Sequence, residues 1–309
     1  MGRDDHRAGR SRVARAGHRA ALEARRGDAG LRGRRAAVNA HGEAHTASRV
    51  SRTRLHVVED NEFGSPDDYA EFHQVIREQA AGLRAAALAA GPSAPVPTCP
   101  EWTTLDLVRH MAKVHAWSAL NATTGDPATR LRAPQPPEDW DLLFPWWDEK
   151  LDALLAALDT DPDKPAWSFD PNGNQTVGFW SRRQAHETSI HRLDAEHAAS
   201  GTETVEFDAE FAADGVDEAL SVLMPRSNWS DSTLAGTVLV HAVDVDEAWL
   251  VELTPGGPAE AWAVSEVPEE GFEAFIAGSA ADVYRAIWRR PNAAITSGDL
   301  GLVAGLRMP

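Results

Sequence analysis

The residues whose types and spacing first suggest chemistry are Glu187 and His191, four positions apart in Arg182-Arg183-Gln184-Ala185-His186-Glu187-Thr188-Ser189-Ile190-His191-Arg192-Leu193-Asp194. On a helix, four residues advance by about 40° beyond a full turn, so the carboxylate and the imidazole leave one face, one turn apart. Such a pair is half of a metal site, and the chain must then supply a third donor, a pocket and something to activate. His186 suggests another reading, because zinc proteases carry His-Glu-x-x-His with the histidines at i and i+4. Here the two histidines are five apart, about 140° around the helix. A metal would therefore take Glu187 with His191, Glu187 would be a ligand rather than a free base, and His186 points elsewhere.

Positioning that pair requires a helix from near Thr176 to Gly201, and the neighbouring pattern supplies others. Ser65-Pro66-Asp67-Asp68 is a helix start, followed by an apolar stripe from Tyr69 to Ala87 that stops at Gly91-Pro92. Pro95, Pro97 and Pro100 force an extended approach to a second helix capped by Thr103 or Thr104. Its stripe of Leu107, His110, Met111, Val114, Trp117 and Ser118 includes a histidine. Two readings of His110 stay open: a satisfied core histidine, or a third donor meeting Glu187 and His191. His115, five residues on, reads as surface or rim. A third helix spans about 138–158, with Pro145 interrupting it. A fifth helical segment runs from Asp208 to about Met224, and Pro225 closes it. Four amphipathic helices with short connections make a helical bundle, in which metal sites arise from side chains of facing helices. After Trp229 the pattern becomes strand-rich: about 237–243, 248–253, 261–264 and 272–276, then a helix over 280–288, a strand near 293–296 and a last helix over 300–306. The expected architecture is thus α followed by α+β, a four-helix bundle over 61–226 and a small α+β domain over 227–309.

Composition bounds the function. One cysteine, Cys99, excludes a disulfide framework and any cysteine-based zinc site, and it reads as a small buried hydrophobe. The absence of a long apolar run and of a secretory leader gives a cytoplasmic expectation with no membrane partner. The net charge of −17 hides a split: residues 1–54 carry 14 Arg and 5 acids, whereas 55–309 carry 16 basic and 42 acidic residues. The acidic part argues against a nucleic-acid surface. Residues 1–60 read as an Arg-rich tail that builds no core, either a basic tail, a targeting segment, or upstream sequence from a start codon set too early. Trp102, Trp117 and Trp180 read as core.

Several stretches resemble the mycothiol-dependent maleylpyruvate isomerase family of actinobacteria. They are Thr98-Cys99-Pro100-Glu101-Trp102-Thr103, Asp106-Leu107-Val108-Arg109-His110, the Arg183–Ala195 run, Asp214-Gly215-Val216-Asp217-Glu218, and Ile287-Trp288-Arg289-Arg290-Pro291 with Gly298-Asp299. The resemblance covers about residue 65 to the end. It implies a DinB-like bundle followed by a sterol-carrier-like domain. It also implies a zinc ion on His110, Glu187 and His191, and mycothiol as the thiol cofactor. Metal coordination deprotonates a thiol at neutral pH, and the thiolate adds to an electrophile. In an isomerase the adduct's former double bond rotates before the thiol leaves; in a transferase the adduct stays. Arg290 matches the family's C-terminal arginine and implies a catalytic role, such as holding a substrate carboxylate, although Arg289 stands where the family has glycine. Asp194 reads either as an orienting acceptor for His191 or as an exposed carboxylate. His186 reads as rim. The expected function is a zinc-dependent, mycothiol-using isomerase or S-transferase, monomeric, acting on a small electrophile. The alternatives are a non-catalytic metal- or ligand-binding regulator and a metal-dependent hydrolase.

Overall fold

The computed structural model describes residues 66–308. The readings for the Arg-rich segment, and the first residues of the expected bundle, lie outside the described residues.

Helix α1 is Pro66–Ala90, α2 Thr104–Ala122, α3 Trp140–Leu158 and α4 Val177–Ser200. Each boundary has a local cause. Thr103 caps α2 in a reciprocal box, its backbone N–H donating to Asp106 and its hydroxyl accepting from the Asp106 N–H. Asp139 caps α3 through the N–H groups of Asp141 and Leu142, and Thr176 caps α4. Gly201, at φ 75°, ends α4 in the left-handed conformation glycine adopts freely. Pro145 does not interrupt α3, which runs through it. It lies less than two turns from the start, where only one internal hydrogen bond is lost.

The heptad-like stripe of α1, Phe72, Ile76, Ala80, Leu83 and Ala87, is buried and runs along α4. Helix α2 packs on α3 and α4. The central helix is α4, with 18 of its 24 residues buried. It is enclosed on nearly every side although it carries Arg183, His186, Glu187, His191 and Asp194, so each buried charge must find a partner. The connection between α2 and α3 is not short: residues 123–139 form a strap without helix or strand.

Helix α5, Ala209–Glu218, continues through one π turn, Ala219–Leu223, and a 3-10 turn, Met224–Arg226. Strands β1 (Gly236–Ala242), β2 (Glu247–Leu253), β3 (Glu260–Val264), β4 (Ala274–Gly278) and β5 (Ile295–Gly298) form one sheet in the order β3-β2-β1-β4-β5. Only β1 and β4 run parallel; Val240 faces Trp249 on one side and Ile276 on the other. Helices α6 (Ala280–Ile287) and α7 (Leu300–Gly305) complete this part. A fold of helices followed by a small mixed sheet is what the periodicities predict.

Bundle and sheet share one core. Ile190 of α4 packs with Val216 and Leu220 of the α5 segment, with Val238, Val240, Trp249 and Ile276 of the sheet, and with Val283 and Tyr284 of α6. A polar latch crosses the same boundary. His186 is fully buried, not at a rim: Nε2 donates to Asp214 at 2.7 Å, Nδ1 meets the Tyr284 hydroxyl at 3.1 Å, and its ring stacks on Phe211. Arg182 donates to Asp214 and Asp217, and Asp217 accepts from the Trp249 indole. Gly215 permits this approach, since a Cβ there would stand 2.5 Å from the Tyr284 ring and 2.8 Å from His186 Nδ1. Among the described residues, no helix is long and apolar enough to cross a membrane.

Candidate metal centre

Helix α2 presents His110 to the face of α4 that carries Glu187 and His191. One ligand atom from each of the three lies within 4.8 Å of the others. Glu187 Oε1 stands 2.9 Å from His110 Nε2 and 3.5 Å from His191 Nε2. For comparison, two donors of a tetrahedral zinc bound at about 2.0–2.1 Å stand about 3.3 Å apart. The donor chemistry also fits, with two imidazole nitrogens and one carboxylate oxygen. Trp102 closes one side: its ring stacks on His191 at 5.8 Å and lies 4.9 Å from His110. Trp102 is therefore a wall of the site, Trp117 lines the neighbouring pocket, and Trp180 alone of the three is fully buried core.

The three side chains are held from behind. Arg183 donates to the second Glu187 oxygen and also to Glu218, the first pair part-buried and the second buried. Burial opposes the Glu187 charge, but Arg183 and the two histidines outweigh it and hold the carboxyl well below its usual range. His191 Nδ1 lies 2.8 Å from Asp194 Oδ2, which is fully buried, so Asp194 is not an exposed carboxylate. This contact fixes the His191 ring and turns Nε2 toward Glu187. Burial disfavours a charged His191, yet the hydrogen bonds with Asp194 and Glu187 prevail and push it up to about 9. The surroundings thus stabilise a positive charge at this imidazole, which suits a cation bound there.

Arg290 reaches this layer from beyond α6. Its Nε and Nη2 donate to the two Asp194 oxygens at 2.8 and 2.7 Å, and Nη1 donates to the Trp288 carbonyl. The fork is thus filled by protein acceptors, two of them the oxygens of the carboxylate that holds His191. Arg289 explains the glycine expected at its position: its φ is 56°, the left-handed region. Its guanidinium donates to the carbonyls of Ala304 and Leu306, which offsets that strain. Cys99 is only half-buried, with Sγ 3.6 Å from Asp194 Oδ2 and 3.5 Å from Arg290 Nη2. Burial, and Asp194 beside it, push the thiol up to about 11, so it stays protonated and is a poor nucleophile at neutral pH.

His115 is buried, not at the surface. Trp147 Nε1 donates to its Nδ1 at 3.0 Å. The proton is therefore on Nε2, which donates to Thr188 Oγ1. Burial drives this imidazole down to about 3. Between that value and 6.5, the unfolded His115 is protonated and the folded one is not, so stability rises with pH through that window and is complete above it. As the pH falls below 6.5 and the unfolded imidazole becomes fully protonated, this residue alone withdraws on the order of 1 kcal/mol per pH unit. Urea titrations at pH 6.5 and 4.5 test this: His115→Gln is expected to lose less stability over the interval than wild type.

A pocket of about 770 Å³ opens beside the triad. His110, Lys113, Val114 and Trp117 form its helical wall, and strap residues including Arg130 and Arg132 form the other.

The Mycothiol maleylpyruvate isomerase N-terminal domain matches residues 72–196, and the MDMPI C-terminal domain matches residues 210–305. The chain belongs to the mycothiol-dependent maleylpyruvate isomerase family. Crystal structures of the mycothiol-dependent maleylpyruvate isomerase and of a histidine-to-alanine mutant of it are among the solved structures that this chain matches. Each has 13% identity and covers 74% of this chain and 92% of its own, with TM-scores of 0.47 and 0.48. No curated protein sequence matches the chain. Within this family member, the Arg183–Glu218 support and the pocket cations were missed from sequence. Arg183 and Glu187 do stand at i and i+4, the spacing of a helical ion pair, but Glu218 lies on another helix and no local signal brings it there.

Proposed function

We propose that this chain is a zinc-dependent enzyme that uses mycothiol, an isomerase or S-transferase acting on a small electrophile. The observation that carries the reading is the convergence of His110, Glu187 and His191 beside an open pocket, in a member of a mycothiol-dependent family. Zinc bound there would lower the pKa of a coordinated thiol so that it is a thiolate at neutral pH. The residues of the chain supply the rest. His110, Glu187 and His191 are the metal ligands. Arg183 keeps Glu187 ionised and aimed, and Asp194 orients His191. Trp102 shields the two imidazoles from water on one side. Cys99 stays a thiol, which leaves the nucleophile to come from a small molecule. Arg290 takes its part through Asp194.

The hydrolase reading needs a carboxylate free to take a proton from water. One Glu187 oxygen is assigned to the metal and the other is held by Arg183, and both Asp194 oxygens are held by Arg290, which favours thiol chemistry. The test is metal analysis of purified protein followed by calorimetric titration with mycothiol. Wild type is expected to hold about one zinc per chain and to bind the thiol; His110→Ala is expected to do neither. A wild type without affinity for zinc, or thiol binding equal in the two proteins, overturns the reading.

A further inference from the structure

We propose that Trp288 is a positioning residue for the metal centre. Its ring acts through Arg183 on Glu187, and its carbonyl acts through Arg290 and Asp194 on His191. The inference rests on the metal reading of those two ligands and adds a residue from the far end of α6.

The first observation is a turn. Helix α6 ends at Ile287, and Trp288 follows as its cap. The Arg289 N–H donates to the Ala286 carbonyl at 2.9 Å and the Arg290 N–H to the Arg285 carbonyl at 2.8 Å. These are the two reversed bonds of a Schellman turn, with Arg289 at its left-handed position. The turn fixes Trp288 and Arg290 relative to each other. Trp288 packs against the core shared with the sheet and against the bundle's own core. Arg290 reaches Asp194, and its Nη1 donates back to the Trp288 carbonyl at 2.5 Å.

The second is the Arg183 guanidinium, a side chain only 3% exposed. One of its amino groups donates to Glu218 and the other to Glu187. Its carbon lies 5.8 Å from the centre of the Trp288 ring, within reach of a cation–π contact. Two edge contacts define a line about which a planar group can still tilt; a ring against its face removes that freedom. The tilt matters because Arg183 holds Glu187 Oε2, and the direction of Oε1 toward His110 and His191 follows from it.

The third is what Trp288 leaves unused. Its indole N–H is buried and meets no acceptor among the described residues, which is unfavourable. Packing alone would be served better by an apolar side chain of similar size. What tryptophan adds is the best π face for a cation. Glu218 is equally single-purpose: Oε2 serves Arg183, and Oε1 is buried with no donor among the described residues. One residue at one turn thus holds two of the three ligands from behind.

The experiment uses the full chain. Zinc affinity is measured by competition with a chelator, the visible absorption of the cobalt(II)-substituted protein is recorded, and the metal-free protein is unfolded in urea. Trp288→Leu keeps the carbonyl but loses the ring. It is expected to bind zinc about tenfold more weakly, the lower end for residues that orient a ligand, and to shift the cobalt bands. Trp288→Phe keeps a π face and is expected to stay within about threefold of wild type, with wild-type bands. Trp229→Leu is the control, since it removes a buried tryptophan that Arg307 lies over instead. It is expected to lower stability and to leave zinc affinity and the cobalt bands unchanged. If Trp288→Leu does not fold, Trp288→Met, whose side chain fills irregular gaps, carries the same expectation. Wild-type zinc affinity and bands in the Leu or Met variant overturn this inference and leave the metal reading standing. An equal loss of affinity in Trp229→Leu also overturns it, because the effect is then one of packing. A wild type without affinity for zinc overturns the metal reading, and this inference with it.

Discussion

Glu187→Gln is expected to weaken zinc binding by more than about a hundredfold, to abolish thiol-dependent turnover, and to leave the fold intact. Residues that merely orient a metal ligand cost about 10–100-fold when changed; Glu187 is assigned as a ligand, and its loss should exceed that. The amide keeps the size of the side chain but removes the charge that faces Arg183, His110 and His191. Arg183 retains Glu218, so the substitution does not leave that guanidinium stranded, and the stability cost stays at about 1–3 kcal/mol. Competition with a zinc chelator measures the affinity, and urea unfolding of the metal-free protein measures the stability. Zinc affinity within threefold of wild type would remove Glu187 from the ligand set.

The second large effect is expected at the Arg290–Asp194 pair. Asp194→Asn and Arg290→Ala should each lower zinc affinity about 10–100-fold. Both should also destabilise the metal-free protein, by about 3 kcal/mol, because a buried ion pair is broken on one side. Arg290→Lys is expected to recover little, since one ammonium cannot satisfy both Asp194 oxygens as the fork does. The pattern distinguishes this positioning role from a direct grip on substrate. An arginine that holds a substrate carboxylate would raise KM on substitution and leave zinc affinity unchanged; an arginine that acts through Asp194 and His191 moves zinc affinity first.

The α-then-α+β order was legible because each element carries a local signal. Thr103 with Asp106, Asp139, Thr176 and Gly201 mark helix ends by their own hydrogen bonds and dihedrals, and alternating apolar runs mark β1 to β3. Glu187 with His191 was legible from a spacing within one helix, and His110 only as one of two readings until the family resemblance was added. What sequence does not carry is which faces meet. His115 and His186 read as surface or rim because a polar residue on a helix is usually solvated, but α4 is enclosed on nearly all sides. Their partners, Trp147, Asp214 and Tyr284, are 32, 28 and 98 residues away. The strap over 123–139 also lacked a signal: its order comes from the side chains of Asn121 and Trp117 bonding one backbone unit, with no periodicity to betray it.

The central claim, that these three residues hold a metal whose remaining position accepts a thiolate, is tested most directly with cobalt in place of zinc. Cobalt(II)-loaded wild type is titrated with mycothiol while the near-ultraviolet absorbance is recorded. The account predicts a saturable sulfur-to-cobalt charge-transfer band at one equivalent, absent from His110→Ala treated in the same way. A cobalt-loaded protein that shows no such band with saturating mycothiol would contradict it.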